Sequence, residues 1–453
     1  AAGMGLRKNN ELEVTFTGYG SAGEGVARAE GLVIFVKGAL RGERARIKLM
    51  KVGKSAAWGL LLQVLEPSPE RRSPDCPYYP RCGGCQLRHM SYEEELELKR
   101  QRVEDCLQRL GGWTGAVSGI LGAKETMGYR NKVQFPAAPG PDGARVGFYR
   151  ARSHDVIDID RCLLQPAGAD AVRRAVKEWM ERFSVPAYRE ETGEGLIRHV
   201  YVRTNRRGEA LACVVANGDR LPREEALTEL ARRACPELTG LVLGVNTRQT
   251  NVILGDRYRT LWGADTLEDT LCGLTFRLSV PSFYQVNADQ AEVLYQQALD
   301  FAGLTGGEAV LDLYCGAGTI SLVMARRAGR VYGAEIVPQA VENARENARR
   351  NGVDNAVFFC ADAGQAALRL AEEGGRPRVI CVDPPRKGLS ADVIRAVAQM
   401  APERVVYVSC DPATLGRDVK LLAGEGYGIT RAAAVDLFPR TAHVETVTLL
   451  ERG

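Results

Sequence analysis

Val405-Val-Tyr-Val-Ser-Cys410-Asp-Pro-Ala-Thr414 is a run of β-branched and aromatic residues that stops abruptly in a polar loop. A continuous apolar run of this kind predicts a strand buried on both faces of a parallel sheet. The abrupt end puts Cys410 at the strand's C-terminal edge, where open α/β sheets bind their ligands. A lone free cysteine is most often a small buried hydrophobe, and a reactive one needs exposure and a lowered pKa. The thiol alone therefore leaves a structural and a chemical role open.

Working back from that stretch, the pattern from Gly273 onward is β-α-β. Glu308-Ala-Val-Leu-Asp-Leu-Tyr-Cys315-Gly-Ala-Gly-Thr-Ile predicts a strand, a glycine turn and a helix start. The Asp312-x-x-x-Gly316-x-Gly318 spacing lets a ligand approach the backbone closely. Arg330-Val-Tyr-Gly-Ala-Glu335 is a second strand ending in an acid, placed to take ribose hydroxyls. Turn and acid together also suit NAD. Phe358-Phe-Cys-Ala-Asp362 and Arg378-Val-Ile-Cys-Val-Asp383-Pro-Pro-Arg-Lys-Gly388 end two further strands. The rigid, polar Asp-Pro-Pro lip argues for a methyltransferase that handles a flat base, against a dehydrogenase.

At the other end, Glu11 to Leu65 reads as five short strands: Leu12–Thr17, Gly25–Ala29, Leu32–Lys37, Arg44–Met50 and Trp58–Leu65. Gly-rich turns separate them, which suits a small oligonucleotide-binding type of barrel. From Arg7 to Leu65 bases exceed acids by five, a balance suited to phosphate contact although the whole chain carries only +4. A Pro/Ser/Arg-rich linker from Pro67 to Asp75 leads to Cys76-Pro-Tyr-Tyr-Pro-Arg-Cys82-Gly-Gly-Cys85. Three thiols so close suit one metal centre, and a closed site wants a fourth ligand, for which Cys162 is the best candidate. Spacing does not separate a four-thiolate zinc from a [4Fe-4S] cluster. Ser91 to Leu110 predicts an amphipathic helix, with a Ser91/Glu94 capping box and a stripe of Leu96, Val103, Leu107 and Leu110. Its expected role is packing.

Tyr129 to Leu271 alternates strands with a few helices, predicting an α+β unit with a mostly antiparallel sheet. The strands read at Val133–Phe135, Val146–Tyr149, Val156–Ile159, His199–Thr204, Ala210–Ala216, Leu241–Asn246 and Thr250–Leu254. Tyr129-Arg-Asn-Lys132 and Phe148-Tyr-Arg-Ala-Arg-Ser-His154 interleave bases and aromatics, as RNA contact requires. The expected division is a barrel over 9–67, a central α+β domain over 68–272 and a Rossmann-like domain over 273–453. Length, 45% hydrophobic and 26% charged content fit a globular multidomain protein. No apolar run spans a bilayer and no signal-peptide pattern opens the chain, so the expectation is a cytoplasmic monomer without membrane partners.

Five motifs taken together resemble the RNA uracil-5-methyltransferases that use S-adenosylmethionine. They are Phe283-Tyr-Gln285-Val-Asn287, Asp312-Leu-Tyr-Cys-Gly-Ala-Gly318, Asp383-Pro-Pro-Arg-Lys-Gly388, Ser409-Cys410-Asp-Pro-Ala-Thr-Leu415 and His443-Val-Glu445-Thr-Val. The resemblance runs over nearly the whole chain. Gly18-Tyr-Gly-Ser-Ala-Gly-Glu-Gly-Val-Ala-Arg28 is similar to a TRAM domain, an RNA-binding barrel. Barrel and cysteines resemble the bacterial 23S rRNA branch, whose cluster is [4Fe-4S]; some barrel-bearing relatives modify tRNA. The resemblance implies Cys410 as the nucleophile at uracil C6 and Glu445 as the base that removes the C5 proton. It implies that Asp383 bonds the uracil edge and that Phe283 stacks on the flipped base. Glu335 would bind ribose and Asp362 adenine, with Gln285, Tyr314 and Thr319 around the rest of the cofactor. Cys76, Cys82, Cys85 and Cys162 would hold the cluster. An amino-methyltransferase on adenine or glutamine is the competing reading, but it needs neither Cys410 nor Glu445. So is a non-catalytic RNA-binding protein, which the intact cofactor turn and nucleophile disfavour.

Overall fold

The computed structural model describes residues 5–453. The N-terminal sheet comprises β1 (Glu11–Thr15), β2 (Gly18–Tyr19), β3 (Gly25–Ala29), β4 (Leu32–Val36), β5 (Arg44–Val52) and β6 (Ala56–Glu66). Their order is β1-β5-β6-β4-β3-β2. Six strands replace the expected five, because the two-residue β2 is too short to show alternation in sequence. Period-2 alternation points Val14, Ile34, Val36, Ile47, Leu49 and Ala57 into one core. Buried Glu43 fastens the linker to this barrel: its carboxylate receives Arg71 Nε at 2.7 Å and the Ser68 amide at 3.1 Å.

In α1 (Tyr92–Arg109), Ser91 Oγ accepts the Glu94 amide at 3.1 Å. The capping box is one-sided, because the Glu94 carboxylate turns to Arg41 of the barrel at 2.6 Å. The buried face holds Leu98, Val103 and Leu107 together with Glu95 and Lys99, while Leu110 of the expected stripe stays 47% exposed. After α1, β7 (Ile120–Leu121) crosses to the C-terminal sheet.

A seven-stranded sheet follows, built of β8 (Lys132–Gly140), β9 (Gly143–Tyr149), β10 (Val156–Asp158), β11 (Ile197–Thr204), β12 (Ala210–Ala216), β13 (Leu238–Val245) and β14 (Arg257–Gly263). Its order is β10-β9-β8-β11-β12-β13-β14, antiparallel except for the β12–β13 pair. Helices α2 (Ala167–Arg182) and α3 (Glu224–Ala234) pack on it through Val172, Trp179 and Leu227. The strand expected at Thr250–Leu254 is absent, and β14 takes the edge instead. Asn246 Nδ2 donates to the carbonyls of Val252 and Ile253 at 2.7 and 3.0 Å, which removes acceptors that a ladder would use.

The hairpin β15 (Thr266–Leu271)/β16 (Leu274–Ser279) turns at Cys272-Gly273, and so straddles the expected 272/273 division. Then come α4 (Ala288–Ala302), β17 (Ala309–Leu313), α5 (Thr319–Ala325), β18 (Arg330–Glu335), α6 (Pro338–Arg350) and β19 (Ala356–Cys360). The rest is α7 (Ala363–Glu372), β20 (Val379–Val382), α8 (Ala391–Met400), β21 (Arg404–Ser409), α9 (Pro412–Gly424), β22 (Tyr427–Val435) and β23 (Glu445–Arg452). The eight strands lie in the order β19-β18-β17-β20-β21-β23-β22-β7. β19 through β21 are parallel, and β23 is inserted antiparallel between β21 and β22. The winding reverses between β17 and β20, the position where such sheets open a binding crevice. One face packs on Leu294 and Phe276; the other packs on Val393 and, from α1, Val103 and Leu107. No helix among the described residues is long and apolar enough to cross a membrane.

Candidate active site

The last pair of the β21–β23 ladder is Ser409 opposite Thr446. Just beyond it the chain continues to Cys410 on one side, while Glu445, the first residue of β23, precedes it on the other. Ser409 Oγ accepts the Asp411 amide at 3.1 Å, and Asp411 caps α9 through the amides of Ala413 and Thr414 at 3.0 and 3.3 Å. That tight turn leaves Cys410 half-buried. On the neighbouring strand, Asp383 follows the end of β20.

A cavity of about 480 Å³ opens on this edge. Gln285, Tyr314, Thr319, Asp383, Cys410 and Glu445 all line it, as do Phe283 and Pro384. Glu335 and Asp362 do not line it. They stand at the ends of the next two strands, where Glu335 accepts the Gly316 amide at 3.1 Å and Asp362 caps α7 through the Gln365 amide at 3.0 Å. The glycine turn has the geometry its spacing requires: Tyr314, Gly316 and Gly318 have φ of 61°, 54° and 84°. A Cβ on Gly318 would stand 2.9 Å from Phe358 and 3.0 Å from Ala344. Sequence reading missed Tyr295 and Phe438, which in sequence are core positions, and read Lys132 within a stretch for RNA contact rather than as a residue of this cavity.

Charge in the cavity is held back. Asp312 lies buried at its floor, where Ser321 Oγ donates to one oxygen at 2.5 Å and the other oxygen has no partner among the described residues. Burial pushes Asp312 up to about 7. Burial and the nearby Asp312 push Asp383 up to about 7 as well. Burial and Asp383 hold Glu445 well above the carboxylate range, against an opposing pull from Arg386. Burial, then Glu445 and Asp383, push the Cys410 thiol up to about 11, again against Arg386. At neutral pH Cys410 stays a thiol. The orphaned buried carboxylate oxygen, the glycine cradle and the thiol and carboxylate lining the same cavity fit a polar cofactor and a flat substrate meeting in one crevice.

Residues 264–453 match the family described as tRNA (Uracil-5-)-methyltransferase, and residues 6–59 match the TRAM domain. The chain is 41% identical over 451 residues to a protein of Clostridium acetobutylicum described as an uncharacterized RNA methyltransferase, covering 99% of this chain and 98% of that one. The chain belongs to the RNA uracil-5-methyltransferase family. A Clostridium tetani relative described in the same words is 43% identical, covering 98% and 97% of the two chains. The solved Pyrococcus abyssi tRNA (uracil-54, C5)-methyltransferase, in complex with S-adenosyl-L-homocysteine, has a TM-score of 0.77 at 26% identity, covering 97% of this chain and all of that one. The protein is an S-adenosylmethionine-dependent RNA methyltransferase with an RNA-binding barrel, and the amino-methyltransferase alternative falls away.

The methyltransferase's Glu445 is approached by a strap, residues 436–444, between β22 and β23. Other parts of the chain grip this strap. Asp436 accepts Lys99 Nζ at 2.7 Å and Tyr92 Oη at 2.6 Å, and the Glu95 carboxylate receives the Arg440 amide at 2.9 Å. The Arg440 carbonyl accepts the amides of Gln86 and Leu87, both at 3.0 Å, immediately after Cys85. Lys99, Glu95 and Asp436 are all fully buried. Thus α1, expected only to pack, holds the segment that delivers Phe438 and Glu445.

Cys76, Cys82, Cys85 and Cys162 line a second, small cavity of about 80 Å³ with Tyr79, Arg88 and Arg130. Among the described residues, no three His, Cys, Asp or Glu side chains are grouped closely enough to hold a single metal ion.

Proposed function

We propose that this enzyme methylates C5 of a uridine in 23S ribosomal RNA through a covalent adduct between Cys410 and C6. The observation that carries the reading is that Cys410, Glu445 and Asp383 line one cavity beside the end of the β21–β23 ladder. Uracil C5 is a weak nucleophile. Cys410 gives up its thiol proton to solvent and adds to C6; this makes an enolate, and electron density reaches C5. Bound S-adenosylmethionine supplies an electrophilic methyl group. Once C5 carries the methyl, Glu445 takes the C5 proton, the C5–C6 double bond re-forms and the thiolate leaves. Asp383, partly protonated near neutral pH, bonds the uracil edge and offsets charge on the enolate. Gln285, Tyr314 and Thr319 bind the cofactor beside the glycine turn; Glu335 holds its ribose and Asp362 its adenine. The target base leaves its stack to reach this crevice, and Phe283, 69% exposed at the rim, receives it.

Cys76, Cys82, Cys85 and Cys162 hold one [4Fe-4S] cluster. All four thiols face one cavity, and a four-iron cluster is wider than the point at which a single zinc gathers thiolates about 2.3 Å away. The division into a barrel at 9–67, a central domain at 68–272 and a catalytic domain at 273–453 stands as a working one.

The substrate test maps 5-methyluridine across ribosomal and transfer RNA in a strain lacking the gene. Loss of a 23S site restored by the wild-type gene supports the reading. The Pyrococcus relative is a tRNA (uracil-54, C5)-methyltransferase, so loss confined to transfer RNA assigns tRNA instead.

A further inference from the structure

The barrel's outer face carries a surface that the catalytic site does not use. Strand alternation turns Phe35, Met50, Trp58 and Leu60 away from the barrel core. Phe35 and Trp58 are partners across β4 and β6, with ring centroids 6.2 Å apart and planes 25° from parallel. On the other side of Trp58, its β5 partner Lys51 places Nζ 5.0 Å from the ring centroid. Trp58 is 39% exposed, Met50 46% and Leu60 51%. An apolar patch of this kind on a small domain calls for an occupant.

Charge identifies that occupant. Arg46, Lys48 and Lys51 of β5 form no ion pair among the described residues. Two residues beyond Phe35, about 7 Å along the chain, Lys37 is exposed and stands near Arg152 of the central unit. Burial and Arg152 hold Lys37 below the usual lysine range, and Glu24 is the one carboxylate acting against them. Arg152 belongs to the basic and aromatic stretch Phe148–His154, in a turn tied to the cysteine loop where the Ala151 amide meets the Arg81 carbonyl at 2.8 Å. Lys37 and Arg152 are both exposed, so their charges are open to a phosphate beside the platform. A protein partner gains from the apolar patch but leaves these cations unmatched. Duplex RNA matches them but offers no free base face.

We infer that this face is a stacking platform for single-stranded RNA: a base lies on Trp58 and Phe35 beside the Lys51 cation, and the adjoining phosphate is taken by Lys37 and Arg152. Base–aromatic stacking tolerates any base, because each has a π-face. The platform therefore supplies affinity for an unpaired segment flanking the target and no choice of the target uridine. It rests on the enzyme's acting on RNA and is independent of the catalytic roles and of the cluster.

The test uses full-length protein with octaadenylate, which brings no uracil to the catalytic crevice, and an RNA duplex of equal charge. Octaadenylate should quench tryptophan fluorescence, and Trp58→Phe should remove most of the quench while keeping most of the affinity. Trp58→Ala should weaken octaadenylate binding on the order of tenfold and leave duplex binding and the salt slope unchanged. Lys37→Ala with Arg152→Ala should lower the slope of log K against log salt by about 0.7, the share of one phosphate. Should Trp58→Ala bind octaadenylate as the wild type does, or lose both RNAs equally, the platform is refuted. A drop in sedimenting mass with Trp58→Ala would assign the face to a second copy of the chain and overturn it as well. Since Trp58→Phe preserves an aromatic ring, its fluorescence result stands even if the alanine variant folds poorly.

Discussion

Burial raises Cys82, Cys85 and Cys162 in one cavity and Cys410 in the other, and their surroundings answer it with opposite charges. In the four-cysteine cavity, burial pushes Cys162 up to about 12 and raises Cys82 and Cys85, while Arg88 and Arg130 pull Cys85 the other way. Around Cys410 the near charges are the carboxylates Glu445 and Asp383, and Arg386 is the cation among its neighbours that opposes them. A cationic wall favours standing thiolates, the form that binds metal. A carboxylate wall keeps a thiol neutral until a substrate arrives that can accept its electrons. On the proposed reading, one pocket holds its ligand permanently and the other releases it in every cycle.

The sharpest break between the two is Cys410→Ala. It should abolish methylation and any covalent RNA complex while leaving iron content and visible absorption intact. Retention of near wild-type methylation would remove the covalent mechanism altogether. Glu445→Gln should leave addition and methyl transfer possible but stall elimination. Turnover should fall by about 10²–10⁴, and a heat-stable RNA–protein band carrying the methyl group should accumulate on denaturing gels. The converse experiment is Cys85→Ser or Cys162→Ser, each of which should cost anaerobically purified protein its brown colour and iron. Colourless wild-type protein with stoichiometric zinc would assign the cavity to zinc.

The strap ties the two cavities together, since it meets Gln86 and Leu87 at one end and leads into Glu445 at the other. Lys99→Met leaves Asp436 buried without its cation and Glu95 with only Arg440, at 3.6 Å, and should destabilise the protein by about 3–5 kcal/mol in denaturant unfolding. A loss below 1 kcal/mol would mean that the network is not holding the strap. The smallest effect concerns pH. Anionic neighbours raise a thiol's pKa, so removing one with Glu445→Gln must lower that of Cys410. The rate of Cys410 alkylation by iodoacetamide, followed by peptide mass spectrometry, should then rise at lower pH than in the wild type. An unmoved curve would show that Glu445 does not face the thiol.

Much of this was legible in the linear chain because parallel strands end in their functional residues. Asp312, Glu335, Asp383 and Cys410 each close or follow an apolar run, and the run and its polar stop are both visible in one dimension. What was not legible depends on register and on distant partners. Nothing in His443-Val-Glu445 shows that it meets Ser409-Cys410 in antiparallel register; only the resemblance paired the two residues. Lys99 reads as solvated charge on an amphipathic helix, and its partner Asp436 lies 337 positions away. The strand expected at Thr250–Leu254 failed because a side chain, Asn246, claimed the carbonyls first. Trp58 and Phe35 look like core residues of a barrel until the alternation of β4 and β6 is set in register.

β23 is the last strand of the chain, yet it occupies an interior place in its sheet, between β21 and β22. Until residues 445–452 are synthesised, β21 and β22 have no strand to join them. The parallel strands β17, β18, β20 and β21 can therefore assemble before β23 joins them, and Glu445 reaches the crevice only with the strand that completes the sheet.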